Sequence, residues 1–135
     1  MAKPPMAASL TWAGELTFTA TSGTQRMTLD GHGAAGPSPV QVLAFGIAGC
    51  MAMDVVEILR KGRHTVTAMD VAFSGERAES QPHRFTSITL TFVIHGGVPS
   101  DAVRRAIALS HERYCSVSNS LRGDITFTTD FEVRP

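Results

Sequence analysis

The sequence predicts a single α+β domain over residues 9–135, preceded by a flexible arm at residues 1–8. Three observations carry this. Segments with two-residue apolar alternation, rich in Thr and aromatic residues, recur along the chain and mark strands. Two longer segments carry helix caps at their starts, and the first also ends in cations and a glycine. The resulting order, ββ-α-ββ-α-α-β, gives an α+β domain with mainly antiparallel strand pairing. With 135 residues, 43% of them hydrophobic, the chain can bury roughly two-thirds of its unfolded surface on folding, enough for one core.

The elements follow in order. Ser9–Ala20 alternates Leu10, Trp12, Leu16 and Phe18 against polar neighbours, with a bulge or bend at Ala13-Gly14. Thr21-Ser22-Gly23-Thr24 is a turn, and Gln25–Asp30 returns as the second strand of a hairpin. The glycine-rich stretch Gly31–Pro37 has no Lys and no P-loop spacing, so it is not read as a phosphate cradle. Ser38 caps a long helix and Pro39 suits its first turn. The helix runs to Arg60-Lys61, cations well placed at a helix end, and stops at Gly62. Two longer strands, Val66–Gly75 and Phe85–Ile94, are joined as a hairpin by the polar link around Pro82. Ser100 caps a second helix, Cys115 opens a short third one that ends at Gly123, and Ile125–Val133 is the last strand.

The long helix is unusual in its composition. Apolar residues from Val42 to Leu59 cover nearly its whole circumference. A helix apolar on all sides must be buried on all sides, which one chain of this size does not easily supply. Gly46 and Gly49 each cost about 1 kcal/mol relative to Ala and make sense if another backbone approaches there. The low charged fraction, 18% against the usual ~25%, points the same way: surface reserved for a second copy. A homo-oligomer is therefore expected.

Twelve basic residues balance twelve acidic ones. Zero net charge and the lack of a like-charge run argue against nucleic acid or an anionic membrane as a partner. The continuous apolar run Val42–Met53 ends at Asp54 after 12 residues, short of the ~20 that span a bilayer. The first ten residues lack the apolar core of a signal peptide. With only Cys50 and Cys115 and no CxxC pair, the expected setting is the cytoplasm, with both thiols reduced.

Each cysteine admits two readings. Cys50, three turns into an apolar helix, is a small core hydrophobe or a reactive thiol. Cys115 is packing at a helix start, or a thiol whose thiolate the free N–H groups favour. Asp54 lies one turn after Cys50 on the same face. Its charge alone raises a neighbouring thiol's pKa, so it helps chemistry only if it holds an arginine. His111 and Cys115 are four apart, but no further ligand lies nearby in sequence, and no metal site or cofactor is expected.

Beyond this point a resemblance adds to the reading. Pro37-Ser38-Pro39 through Leu43, Ala48-Gly49-Cys50-Met51-Ala52-Met53-Asp54-Val55-Val56 and Glu112-Arg113-Tyr114-Cys115-Ser116-Val117-Ser118-Asn119-Ser120-Leu121 resemble the two cysteine motifs of the OsmC/Ohr family. Pro82–Ile88 and the order of elements fit as well. The resemblance implies an OsmC-like fold, an intertwined homodimer with antiparallel sheets around a long central helix. It implies thiol-dependent reduction of organic hydroperoxides in oxidative stress, with Cys50 peroxidatic and Cys115 resolving. It also implies a dithiol reductant such as a lipoylated protein. The peroxidase members carry a glutamate just after the helix-starting proline, where this chain has Val40-Gln41. They also carry an arginine in the N-terminal strands, where Arg26 is the sole arginine before the helix. Arg26 and Asp54 are thus the auxiliary candidates beside catalytic Cys50 and Cys115. The alternative is a non-catalytic dimer of the same fold that binds an apolar ligand or a partner protein.

Overall fold

The structure, a computed structural model, describes residues 2–135. Among the described residues the elements are β1 (Ser9–Trp12), β2 (Thr17–Ser22), β3 (Gln25–Asp30), α1 (Pro39–Lys61), β4 (Ala68–Arg77), β5 (Phe85–His95), α2 (Ser100–Leu109) and β6 (Thr126–Arg134). A π-helical turn at Ser110–Tyr114 and a 3₁₀ turn at Ser118–Ser120 lie between α2 and β6. The class is α+β, with one three-stranded sheet in order β1-β2-β3 and another in order β4-β5-β6. The chain divides into two compact units, one up to Ala44 and the other Phe45–Pro135.

In the first unit, the stretch expected to be one bent strand is two. Ala13-Gly14 is a reversal rather than a bulge: β1 folds back on β2, with Trp12 opposite Phe18. Gly14 (φ 105°) and Glu15 (φ 49°) take the left-handed conformation that the tight turn needs. The β2–β3 hairpin follows as expected, pairing Ser22 with Gln25. The glycine-rich loop after β3 has its amides already engaged. Asp30 accepts hydrogen bonds from the N–H groups of His32 (2.9 Å), Ala34 (3.3 Å) and Ala35 (2.9 Å). This is the Asx-type local bonding that lets an aspartate shape a loop, and it leaves those donors unavailable to an outside phosphate.

Helix α1 begins and ends as its capping residues require. Ser38 Oγ accepts the Gln41 N–H (3.2 Å) and Gln41 Oε1 accepts the Ser38 N–H (2.9 Å), a reciprocal capping box. Gln41 therefore has a structural task at the position where a family glutamate was sought. At the other end Arg60 and Lys61 occupy the last turn, where they complement the helix dipole.

The core of the second unit forms where one stripe of α1 meets one face of β5 and the inner side of α2. Ile47, Met51, Val55 and Leu59, spaced four apart, are buried with Ile88, Leu90, Phe92 and Ile94, spaced two apart, and with Val103, Ala106 and Ile107. The two spacings are the helix and strand periods that bring one side of each element to a common core. The expectation that α1 is buried on all sides is not met within the chain. Phe45 and Met53 remain 61% and 73% exposed. Nor does a backbone close on the helix glycines: a Cβ at Gly46 would meet only the Val117 side chain at 3.7 Å, and one at Gly49 would meet nothing within 4 Å. By length and composition α1 could reach across a bilayer, which the run ending at Asp54 did not anticipate. Its fully buried stripe is that of a core helix.

The last strand departs from the expected antiparallel sheets. β4 and β5 pair antiparallel, Ala68 with His95 through Arg77 with Phe85, whereas β6 pairs parallel to β5, Ser87 with Thr126 through His95 with Arg134. A parallel neighbour needs a long crossover, and residues 96–125 supply it. The crossover starts at Gly96 (φ 122°), where a side chain would strike the Thr65 carbonyl.

The Asp30 loop yields a pH prediction. Hydrogen bonds from the amides of Ala35 and then His32 hold the Asp30 carboxyl below the ordinary aspartate range. The loop's stabilisation is thus fully present above about pH 4 and is lost as pH falls through the lowered folded-state value. Asp30→Asn should speed amide exchange at residues 32–35 at neutral pH and flatten its acid dependence. A protection factor, corrected for the intrinsic pH dependence of exchange, that is unchanged from pH 7 to pH 3 would contradict this.

Candidate functional site

Two segments of the second unit build the site. On α1, the row beside the buried stripe reads Gly46, Cys50, Asp54, with neighbours about 6 Å apart at 1.5 Å per residue. Facing it, in the opposite direction, are Val117, Cys115 and Ser110. Gly46 stands opposite Val117, Cys50 is beside Cys115, and Ser110 Oγ donates to Asp54 Oδ2 at 2.8 Å. The Sγ atoms of Cys50 and Cys115 and a carboxylate oxygen of Asp54 all lie within 4.8 Å of one another. Cys115 is fully buried, while Cys50 and Asp54 are half-buried.

The facing strip is not the short helix that was expected to open at Cys115. After Leu109 the helix widens into the π turn, closed by the Cys115 N–H bonding to the Ser110 carbonyl at 2.8 Å. Cys115 then has extended backbone (φ −71°, ψ 104°). The insertion of one residue in a helical turn is a recurrent device for re-aiming side chains at functional sites. Here Ser110 meets Asp54 and Cys115 meets Cys50. Asn119 braces the strip, its Nδ2 donating to the carbonyls of His111 (2.9 Å) and Cys115 (2.8 Å).

Both sulfurs also face backbone donors. The Ser118 N–H donates to Cys115 Sγ at 3.3 Å, and the Val117 amide acts on the Cys50 sulfur to favour its thiolate. Other influences outweigh the Val117 amide. Burial pushes the Cys50 thiol up, and Cys115 and then Asp54 push it further in the same direction. Among the described residues, the groups that act on Cys50 in this way include no cation.

Of the four residues singled out in the sequence, Cys50, Cys115 and Asp54 are together in the second unit. Arg26 lies exposed on β3, in the first unit, opposite Thr21. Asp54 holds a serine hydroxyl rather than an arginine. His111, four residues before Cys115, is not a neighbour of the sulfurs in this set; its ring stacks on Phe127 with centroids 4.4 Å apart. Ser110, Asn119 and the amides of Val117 and Ser118 were missed. Nothing in local sequence marks a π turn, so the partner of Asp54 had no signal.

An α+β fold that places two free thiols face to face, one sealed and one half-open, defines a dithiol protein. Its family follows from comparison. A family model described as OsmC-like protein matches residues 31–130, and the chain belongs to the OsmC-like family. It is 40% identical over 131 residues to Protein YhfA of Escherichia coli K12, covering 95% of this chain and 98% of that protein. A hypothetical protein from Aquifex aeolicus VF5 has a crystal structure similar to this one, with TM-score 0.90, 27% identity and 97% of each chain covered. An organic hydroperoxide resistance protein OsmC from Legionella pneumophila shares the fold at TM-score 0.69 and 17% identity, over 100% of both chains.

The electrostatics give a test. The Cys50 thiol should titrate above the ordinary cysteine value of about 8.5, so its alkylation rate should still be rising at pH 9. Asp54→Asn removes a raising charge and should shift that rise to lower pH. Alkylation followed by mass spectrometry reads both, and a Cys50 rate that levels off below pH 8 would refute the assignment.

Proposed function

We propose that this protein is a thiol-dependent peroxidase that reduces organic hydroperoxides through Cys50 and Cys115, working in the cytoplasm as a homodimer. The observation that carries this reading is the approach of two sulfurs, 65 positions apart in sequence, to within 4.8 Å. The family's hydroperoxide resistance members support it.

The chemistry proceeds in balanced steps. The Cys50 thiolate attacks the terminal oxygen of the hydroperoxide, the O–O bond breaks, and an alcohol leaves with the proton that the thiol gave up. Cys50 is now a sulfenic acid. The Cys115 sulfur attacks the Cys50 sulfur, water leaves and a disulfide forms, which requires the sulfurs to close to about 2.05 Å. An external dithiol, such as a lipoyl group, reduces the disulfide by thiol–disulfide exchange. With no cation acting on Cys50, the Val117 amide supports the attacking thiolate. Burial first, then Cys115 and Asp54, keep the resting thiol protonated and so limit unproductive oxidation. Arg26, carried by the exposed β3, is retained as an auxiliary candidate that a dimer partner could bring to the thiol.

The dimer accounts for the apolar surface of α1. A groove of about 810 Å³ between α1 and β4 is lined by the apolar Ala52, Met53, Val56, Met69 and Val71 and by the charged Glu57, Arg60 and Lys61. A second copy seated there would cover Met53 and complete the burial that an all-round apolar helix requires. A second reading, a non-catalytic dimer that binds an apolar ligand or partner, is favoured by one observation: the raised thiol of Cys50 without a cation.

Cumene hydroperoxide should convert the reduced protein to an intrachain Cys50–Cys115 disulfide, seen as a loss of two hydrogens in the intact mass. Cys115→Ser should halt at a Cys50 sulfenic acid that dimedone traps. Free thiols that persist under excess peroxide would turn the assignment to the second reading. Met53→Glu, at an exposed position of the chain, should leave the circular dichroism unchanged and yield a monomer by light scattering. A dimer that survives this change would remove α1 from the interface.

A further inference from the structure

We infer that Cys50, Cys115 and Asp54 form a site for one thiophilic divalent cation of the zinc type in the reduced protein. The inference rests on the geometry of the three side chains and not on the peroxidase reading.

The donor set is the first argument. Two thiolates and a carboxylate are ligands that zinc accepts, at about 2.3 Å for sulfur and 2.0–2.2 Å for oxygen. Tetrahedral angles at those lengths place the ligand atoms roughly 3.5–3.8 Å apart. The three atoms already lie within 4.8 Å of one another, so side-chain torsions alone can close the remainder. Three protein ligands leave a fourth position, and the half-buried side of Cys50 and Asp54 opens it to water and gives the ion its entry path.

The second argument lies in the groups behind the ligands. Zinc sites are held by outer hydrogen bonds that orient each ligand. Asp54 has one from the fully buried Ser110 hydroxyl at 2.8 Å, which binds Oδ2 and leaves lone pairs on the carboxylate for a metal. Cys115 has one from the Ser118 amide at 3.3 Å. N–H groups aimed at sulfur stabilise thiolate ligands and leave the sulfur's remaining lone pairs free.

The third argument is charge. Three groups that each become anionic are clustered, and no cation among the described residues is paired with Asp54. A carboxylate beside the Cys50 thiol hinders it from ionising. A divalent ion reverses that effect, because it neutralises the cluster and makes the carboxylate an asset. As each metal–sulfur bond forms, the thiol releases its proton to solvent, two protons per ion, and no electron moves. Hence metal affinity should rise with pH, and a Cys50–Cys115 disulfide removes the site.

The test uses the full chain, reduced and freed of metal, titrated with Co²⁺ and then with Zn²⁺ against a chromophoric chelator. The expected result is one ion per chain, with near-ultraviolet thiolate-to-cobalt charge transfer and visible bands of tetrahedral cobalt that Zn²⁺ erases. Cys50→Ser and Cys115→Ser, near-isosteric and checked by circular dichroism, should abolish the charge-transfer band. Ser110→Ala should weaken zinc binding on the order of 10-fold while keeping the band. No charge transfer in the reduced wild-type protein, or binding that survives in the Cys50→Ser/Cys115→Ser double variant, would overturn the site. Cobalt binding without any peroxide-driven disulfide would keep the metal site and reject the peroxidase. A disulfide without cobalt binding would do the reverse.

Discussion

The second unit depends on the burial of one stripe of α1 against β5. Ile47, Met51, Val55 and Leu59 lose almost all solvent contact there, each burial contributing roughly 1.5–3 kcal/mol relative to exposure. This packing sets the rotation of the helix about its own axis. With the stripe facing the sheet, the next row, Gly46, Cys50 and Asp54, must face the edge of the core, where the chain passes from α2 toward β6. Turning the helix by a single residue, about 100°, would move Cys50 away from Cys115 and strand Asp54 without Ser110. The site is therefore a by-product of core packing, and its precision comes from the core.

The facing strip depends on the crossover. Because β6 returns parallel to β5, the chain must travel the length of the sheet between them, and that passage carries α2, the π turn and the 3₁₀ turn. The π turn is the one irregularity that lets a buried serine and a buried cysteine, five residues apart, both address α1. Asn119 braces it, its side-chain amide donating to the carbonyls of His111 and Cys115, the latter also taking the Asn119 N–H. A site held on one side by a helix and on the other by a braced turn keeps two free sulfurs close without joining them.

Much of this was legible in the residues. The period of 3.6 over α1, its Ser38 cap and its Gly62 stop, and the period of 2 along β4, β5 and β6 are local properties, and those elements fall within two residues of where they were expected. The cysteine motifs singled out Cys50 and Cys115, whose sulfurs the fold brings within 4.8 Å. The reversal at Ala13-Gly14 was misread because apolar alternation continues through it, so the pattern of β1 and β2 looks like one strand. The parallel pairing of β6 was missed because parallel and antiparallel strands present the same alternation. Which of them forms depends on the path of the connection, not on the strand.

The sequence by itself determined the class of the fold, the long helix, the strands of the second sheet and the presence of two thiols, because periodicity, caps and a motif are written in neighbouring residues. Only the tertiary structure decided what Asp54 does. In sequence it was a carboxylate in need of an arginine. In the folded chain it takes a hydrogen bond from a serine 56 positions away and stands beside both sulfurs. That meeting depends on helix rotation, crossover path and one widened turn at once, and no local pattern of side chains encodes all three.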